Sequence, residues 1–389
     1  MAVYLDYAAT SPLRAEVLEV YLEHLSVTGN PSSVHSFGQG ARQVLEEARE
    51  SISRSVDCNR SEVIFTSGGT ESNNLAVKGL YWQRQRDQSR PLIVSAYTEH
   101  HAVIDPIEWL VAEQGAEVVW VPVNELGEVD LIWLEQFLEA NHSRVAMIAL
   151  MWANNEVGVV TPIPSVTALA SRFDVPVHSD AVAAVGHIEV SFAFSGLSTM
   201  AISGHKLGAP VGVGALIVSR ATKLVSVQHG GGQERSMRSG TMNSAAAKAL
   251  AKALELASQE LEARRIRLTD LRDRLVAGVL AISPDVRATS IGADRLPDNA
   301  HFTFSGCSGD SLLFLLDAAG FAVSNGSACQ AGVAVASHVL IAMGRSQADA
   351  SGCIRVSLGL STTDEDIDAL LAALPRAYAS AKRAGLPNG

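Results

Sequence analysis

From about residue 60 to residue 220, short and continuously apolar runs alternate with longer segments in which apolar residues recur every three or four positions. The runs "EVIFTS", "PLIVSAY", "EVVWVPV", "RVAMIALMWA", "VPVHSDA", "MAISG" and "VGALIVS" read as seven strands. The segments "ESNNLAVKGLYWQRQR", "AVIDPIEWLVAEQ" and "PSVTALASRF" read as helices between them. Strands that are apolar throughout predict a mostly parallel sheet with helices packed on both faces. Ligands of such sheets bind beyond the carboxyl ends of the strands. The Ala-, Leu- and Glu-rich stretch "NSAAAKALAKALELASQELEARRIRLTDLRDRLVAGVL" then predicts one or two long helices leading out of this unit. From about residue 298, "NAHFTFSG", "DSLLFLLDAAG", "FAVSNG", "SHVLIAMG", "CIRVSLG" and "DEDIDALLAALPRAYASAKRA" predict a smaller α+β unit. The cleft between the two units is the expected site.

Composition narrows the function classes. With 389 residues, 47% of them hydrophobic, the chain can bury a large core, so a disordered or fibrous reading is excluded and two domains are expected. A net charge of -11 disfavours a nucleic-acid surface, which needs a basic stripe; the basic run "ARRIRLTDLRDRL" reads as a solvated helix face. The start "MAVYLDYAATSP" has no signal-peptide pattern, and no segment approaches a membrane span of roughly 18 apolar residues. A soluble, cytoplasmic protein is expected. Cys58, Cys307, Cys329 and Cys353 are too scattered for a zinc site or paired motif, so each is expected to be a reduced thiol, and no metal is expected.

Five places carry candidate chemistry. In "TSGGTESNN" a strand ends in two glycines, Gly68 and Gly69, before Thr70 and a helix. That is either an anion site completed by the helix N–H groups and the Thr70 hydroxyl, or simply an N-cap. No nucleotide fingerprint is present. In "SGHKLG" Lys206 follows Ser203, Gly204 and His205 in a region poor in charge, where a desolvated lysine can lose its proton and condense with an aldehyde. Ser203 to Lys206 also spells S-x-x-K, the pattern of an acyl-enzyme serine, although the accompanying S-D-N and K-T-G are absent. In "VPVHSDAV" a buried strand delivers Asp180 to its carboxyl end, as metal ligand, helix cap or partner of a protonated ring nitrogen. His100 in "YTEHHAV" sits between strand and helix, placed to stack, cap or shuttle protons. "SNGSACQAG" surrounds Cys329 with residues too small to pack around it, which suits either an inert thiol or a nucleophile on a moving arm.

Taken together, "YLDYAAT", "GNPSSVHSFG", "FTSGGTESNNLAVKG", "TEHHAV", "NNEVG", "HSDA", "SGHK", "HGGGQERSMRSGT", "GSAC" and "IRVSLG" run in order along nearly the whole chain. In this the chain resembles the pyridoxal phosphate-dependent cysteine desulfurases of the NifS/IscS type, in the class-V aminotransferase family, and most of all their actinobacterial members. The resemblance implies fold-type I architecture. A large cofactor-binding domain spans residues 15–260, with a mostly parallel seven-stranded sheet between helices; residues 1–14 and 261–389 form a small α+β domain carrying the cysteine loop. It implies that Lys206 holds pyridoxal 5'-phosphate covalently and then serves as base, that Asp180 pairs with the pyridine nitrogen, and that His100 stacks on the ring and moves protons. Gly69, Thr70, Ser203 and His205 would cradle the phosphate, joined by Thr241 from the other subunit of a homodimer. Asn155 would lie by the phenolic oxygen and the substrate carboxylate, which Arg355 would grip with its fork of donors. Cys329 would take sulfur from L-cysteine as a persulfide, release L-alanine and pass the sulfur to an acceptor, such as an iron-sulfur scaffold or a tRNA-thiolation enzyme. Selenocysteine lyase, or another class-V lyase or aminotransferase, is the alternative within the fold.

One departure stands out. Family members usually carry glutamine three residues after the pyridine-binding aspartate, and this chain has Ala183. Alanine cannot donate a hydrogen bond to the phenolate, so a slower or spectrally shifted desulfurase is expected, with a cofactor-binding scaffold of weakened turnover as the non-enzymatic reading. Nothing is drawn from Ser11 and Leu360, two smaller departures.

Overall fold

The computed structural model describes residues 2–326 and 336–385. Among the described residues the strands are, in chain order, β1 (Val3–Tyr4), β2 (Val63–Thr66), β3 (Leu92–Ser95), β4 (Glu117–Trp120), β5 (Val145–Ala149), β6 (Val177–Asp180), β7 (Thr199–Ser203), β8 (Gly214–Val218), β9 (Val286–Ala288), β10 (Asn299–Phe304), β11 (Phe321–Ala322) and β12 (Cys353–Ser357). Strands β2 to β8 are the seven that the apolar runs predict, and they form one sheet in the order β2-β8-β7-β6-β5-β3-β4. Only β8 runs against its neighbours; β4, β3, β5, β6 and β7 are parallel. Every residue of β2, β3 and β5–β8 is buried, whereas β4 at the sheet edge is not. Burial on both faces is why those runs lack polar alternation.

The helix Ser244–Leu280 is one continuous element. Its first half, from Ala245 to Ala257, packs into the core under the large sheet. Its second half contributes Leu268, Leu271, Leu275 and Val279 to a separate core with Leu5 and with residues between Val286 and Ala381. The basic run in this helix is therefore not simply a solvated face. Arg265 is exposed, but Arg267 donates to the carbonyls of Gly359, Leu360 and Thr362, and Arg272 to that of Leu296. The second core is built on the antiparallel sheet β12-β10-β9 and on the pair β1-β11.

Helices Ala15–Leu25, Ser36–Ser55 and Leu131–Asn141 were not marked by the apolar runs. In Ser36–Ser55 the buried stripe is Ala41, Leu45, Ala48 and Ile52, whose 4-3-4 spacing is helical but half made of alanine, a weak hydrophobic signal. Among the described residues no helix is long and apolar enough to cross a membrane.

Candidate active site

Strand β7 ends at Ser203, and the chain turns through a single 3-10 turn, Gly204–Lys206. A side chain at Gly204 would press on the Val213 carbonyl at 3.0 Å, so glycine permits the tight turn that follows the strand. The turn aims Lys206 into a cavity of about 430 Å³. There its Nζ donates to the carbonyls of Ala8 (2.6 Å) and Ala9 (2.9 Å). Burial, with the Arg355 guanidinium nearby, pushes the ammonium down to about 8. A fraction of Lys206 is then a neutral amine near neutrality, able to attack an aldehyde. Ser203 ends a strand and leads only into that single 3-10 turn, not into the α-helix that the S-x-x-K pattern requires, which removes that reading.

Asp180 closes β6 and faces the same cavity. Its Oδ1 accepts from the Val182 N–H (2.9 Å) and its Oδ2 from Asn73 Nδ2 (2.6 Å). Thr70 is not an N-cap: Gly68 holds that position in the helix Gly69–Arg84, and no side chain caps it. The first-turn N–H groups of that helix thus lack a capping side chain, as an anion site requires. A Cβ on Gly69 would meet Val182 Cγ2 at 2.8 Å, so any other residue would have to displace Val182 at the start of this helix. His205 lines the cavity, and its Nδ1 lies 3.2 Å from Thr10 Oγ1. Burial, with Lys206 beside it, holds this ring down to about 4, hence neutral. His100 caps the helix His101–Gln114, its Nδ1 accepting from the Ala102 N–H at 3.0 Å. That bond places the proton of the neutral ring on Nε2, and burial favours the neutral form.

On the opposite wall Arg355, 4% exposed on β12, donates from Nη2 to Asp6 Oδ1 (2.7 Å) and from Nη1 to the Asn155 carbonyl (2.8 Å). Among the described residues its Nε is buried without a partner. Each terminal nitrogen makes one hydrogen bond among the described residues and has a second hydrogen, so the guanidinium is braced yet still able to bind a carboxylate. Of the two asparagines in "NNEVG", Asn154 is structural, accepting from the Glu156 and Val157 N–H groups, while Asn155 lines the cavity.

Gly69, Thr70, His100, Asn155, Asp180, Ser203, His205, Lys206 and Arg355 thus line one cavity, together with Ala183. Thr241 does not; it lines a different hollow with Arg42, Arg49 and Glu234. Cys329 lies outside the described residues. Ser324 and Gly326, just before that stretch, line the cavity, and Ser337, just after it, donates to buried Glu156 at 2.5 Å. Burial pushes the other three thiols up, Cys58 and Cys353 to about 12 and Cys307 to about 11, which makes them inert near neutrality. Tyr7, Asn73, Asn299 and the hydrogen-bonded pair His187–Asp298 (2.5 Å) also line the cavity, and none of them was expected there from the sequence. Asn299 is almost wholly buried, and among the described residues both its amide atoms are unpartnered. Tyr7 and Asn73 lie within "YLDYAAT" and "FTSGGTESNNLAVKG", but nothing in the sequence marks "PDN" as part of a site.

The model of the class-V aminotransferase family matches residues 3–370. An IscS-like cysteine desulfurase of Mycobacterium tuberculosis is 50% identical, over 98% of each chain. A cysteine desulfurase IscS of Dictyoglomus turgidum is 42% identical, over 96% of this chain and 94% of its own. Among solved structures, a NifS-like protein superposes with a TM-score of 0.89 at 31% identity, covering 98% of this chain and all of that one.

Proposed function

The chain belongs to the class-V aminotransferase family, among its cysteine desulfurases of the NifS/IscS type, and from that premise we propose how its own residues convert L-cysteine to L-alanine with sulfur transfer. The observation that carries the proposal is the convergence of the Lys206 amine, the Asp180 carboxylate and the Arg355 guanidinium on one cavity. The residues present suit pyridoxal 5'-phosphate: an amine for its aldehyde, a carboxylate for its ring nitrogen, and a glycine-lined helix start with Ser203, Thr70 and His205 for its phosphate. When bound, that cofactor supplies an electron sink, which acidifies the substrate Cα–H and makes the substrate sulfur electrophilic.

Within this site Asp180 keeps the ring nitrogen protonated, and Arg355 holds the substrate carboxylate while Asp6 and the Asn155 carbonyl fix its fork. Lys206 would serve as the base at Cα, and His100, its Nδ1 occupied by the Ala102 N–H, would relay protons through Nε2, taking up one for each it passes on. Cys329 thiolate attacks the substrate sulfur, so the Cβ–S bond breaks and an S–S bond forms. The cysteinyl persulfide and L-alanine together account for every atom of L-cysteine and the enzyme thiol. The other three thiols are held neutral by burial, which leaves Cys329 as the nucleophile. It lies three residues beyond Gly326 at the cavity wall, a reach of at most about 11 Å. The working form is a cytoplasmic homodimer in which Thr241 completes the partner's phosphate cradle, and the persulfide passes to an acceptor protein.

The test is to load the protein with pyridoxal phosphate, add L-cysteine and a reductant, and measure alanine and sulfide for wild type and Cys329→Ser. Alanine from wild type and none from the variant is the expected result. Alanine from both removes Cys329 from the mechanism; alanine from neither favours the scaffold reading. Faster turnover of L-selenocysteine that survives the substitution favours the lyase.

A further inference from the structure

The Asp180 carboxylate is the end of a chain of buried polar side chains that the reaction itself does not call for. His178 and Asp180 stand two residues apart on β6 and so point to the same side of the sheet. Thr199 on β7 is the direct cross-strand partner of His178, and Asn73 comes from the helix Gly69–Arg84 above them. Thr199 Oγ1 lies 2.9 Å from His178 Nδ1, His178 Nε2 lies 3.0 Å from Asn73 Oδ1, and Asn73 Nδ2 lies 2.6 Å from Asp180 Oδ2. All four residues are buried, three of them completely.

We propose that Thr199, His178 and Asn73 form a one-way hydrogen-bond relay whose purpose is to position Asp180 as a fixed, ionised acceptor facing the cavity, with His178 as the residue that sets its direction. This rests on the reading of Asp180 given under Proposed function. The direction follows from donor and acceptor counting. Asp180 is ionised in this reading and can only accept, so Asn73 must present its NH2; the flipped amide would place two acceptors 2.6 Å apart. The Asn73 carbonyl then faces His178 and needs a donor, which puts the ring proton on Nε2. His178 Nδ1 is left as an acceptor and takes the Thr199 hydroxyl hydrogen. Burial keeps this ring neutral, down to about 3, so the relay delivers a fixed dipole and no second charge. With the Val182 N–H on its other oxygen, Asp180 accepts one bond per oxygen and keeps one lone-pair direction on each for the cavity.

A purely structural cluster would lose stability on substitution and nothing else; a relay has a direction that can be read. In histidine-15N-labelled wild-type apoprotein, the His178 ring should be neutral with its proton on Nε2 from pH 5.5 to 9. A proton on Nδ1, or a ring that charges in that range, overturns the proposal, and this measurement needs no variant to fold. In the loaded protein, His178→Leu should weaken retention of pyridoxal phosphate roughly ten- to a hundredfold and shift the pH midpoint of its visible absorbance. His178→Gln, whose amide N–H reaches the same place as Nε2–H, should restore both to within about threefold. Unchanged cofactor binding in His178→Leu, or equal loss in the Leu and Gln variants, overturns the relay. If wild type itself takes up no pyridoxal phosphate, the function proposed above falls, and the NMR result still decides the relay.

Discussion

Lys206 is costly to hold and useful for the same reason. The unfolded chain keeps a lysine proton to about 10.5, while the folded site releases it at about 8. Between those values the unfolded state binds more protons, so unfolding becomes harder as pH rises through that window, and below about 8 the buried ammonium is a full liability. Lys206→Met should therefore stabilise the apoprotein relative to wild type more at pH 7 than at pH 10.5, by up to about 3 kcal/mol. Chemical unfolding of both proteins at the two pH values checks it, and an advantage independent of pH would show that burial does not depress Lys206. At Ala183 the missing donor can be put back, because the position faces the cavity. Ala183→Gln should lower the pH midpoint of the bound cofactor's absorbance by about one to two units and raise turnover, the equivalent of one hydrogen bond to a charged oxygen. An unchanged midpoint and rate would mean that the departure is silent.

At the scale of elements, the sheet delivers chemistry because β6 and β7 are adjacent and parallel: both end at the cavity, one in Asp180 and the other in the turn to Lys206. The segment before Thr241 is held differently. Glu234, Arg235 and Ser236 all have positive φ, 43°, 56° and 61°, a run that L residues adopt only under external support. The support is the Glu234 carboxylate, which accepts from both terminal nitrogens of Arg49 at 2.9 Å and from the Phe65 N–H at 2.8 Å. A second pair, Arg238 with Glu71 at 2.6 Å, ties the segment to the first turn of the helix Gly69–Arg84. Glu234→Gln leaves the half-buried Arg49 guanidinium with only the more exposed Glu46 as counter-charge, and should cost roughly 2 kcal/mol in denaturant unfolding. A loss below about 1 kcal/mol would mean that this pair behaves as a surface ion pair.

At the scale of the whole molecule, a single chain lacks part of the predicted phosphate cradle, since Thr241 lines a hollow apart from Lys206. If the cradle is shared across a dimer, Lys206→Ala and Thr241→Ala subunits should each be impaired alone. Mixed together, they should regain activity in the hybrid dimers, where one site carries both defects and the other none. Failure to complement, with hybrids verified by mass, would place Thr241 outside the partner's site.

The sequence by itself determined the seven strands, the long helical stretch after them, and the lysine, aspartate, histidines and arginine that bring ionisable groups to one wall or another of the cavity, though not Tyr7, Asn73, Asn299, His187 or Asp298. Burial on both faces of a parallel sheet leaves continuous apolar runs, and the short motifs that end those runs carry the polar groups. It also supplied the direction of the mechanism, through motifs in register along the whole chain. It did not reveal that Asp6 and the Asn155 carbonyl brace Arg355, that Ala8 and Ala9 receive the Lys206 ammonium, or that His178 reaches Asp180 through Asn73. Each of those contacts joins residues between 105 and 349 positions apart, and each depends on the direction of a donor or a lone pair. Periodicity records which face of an element is buried; only the packed elements decide which atom on that face meets which partner.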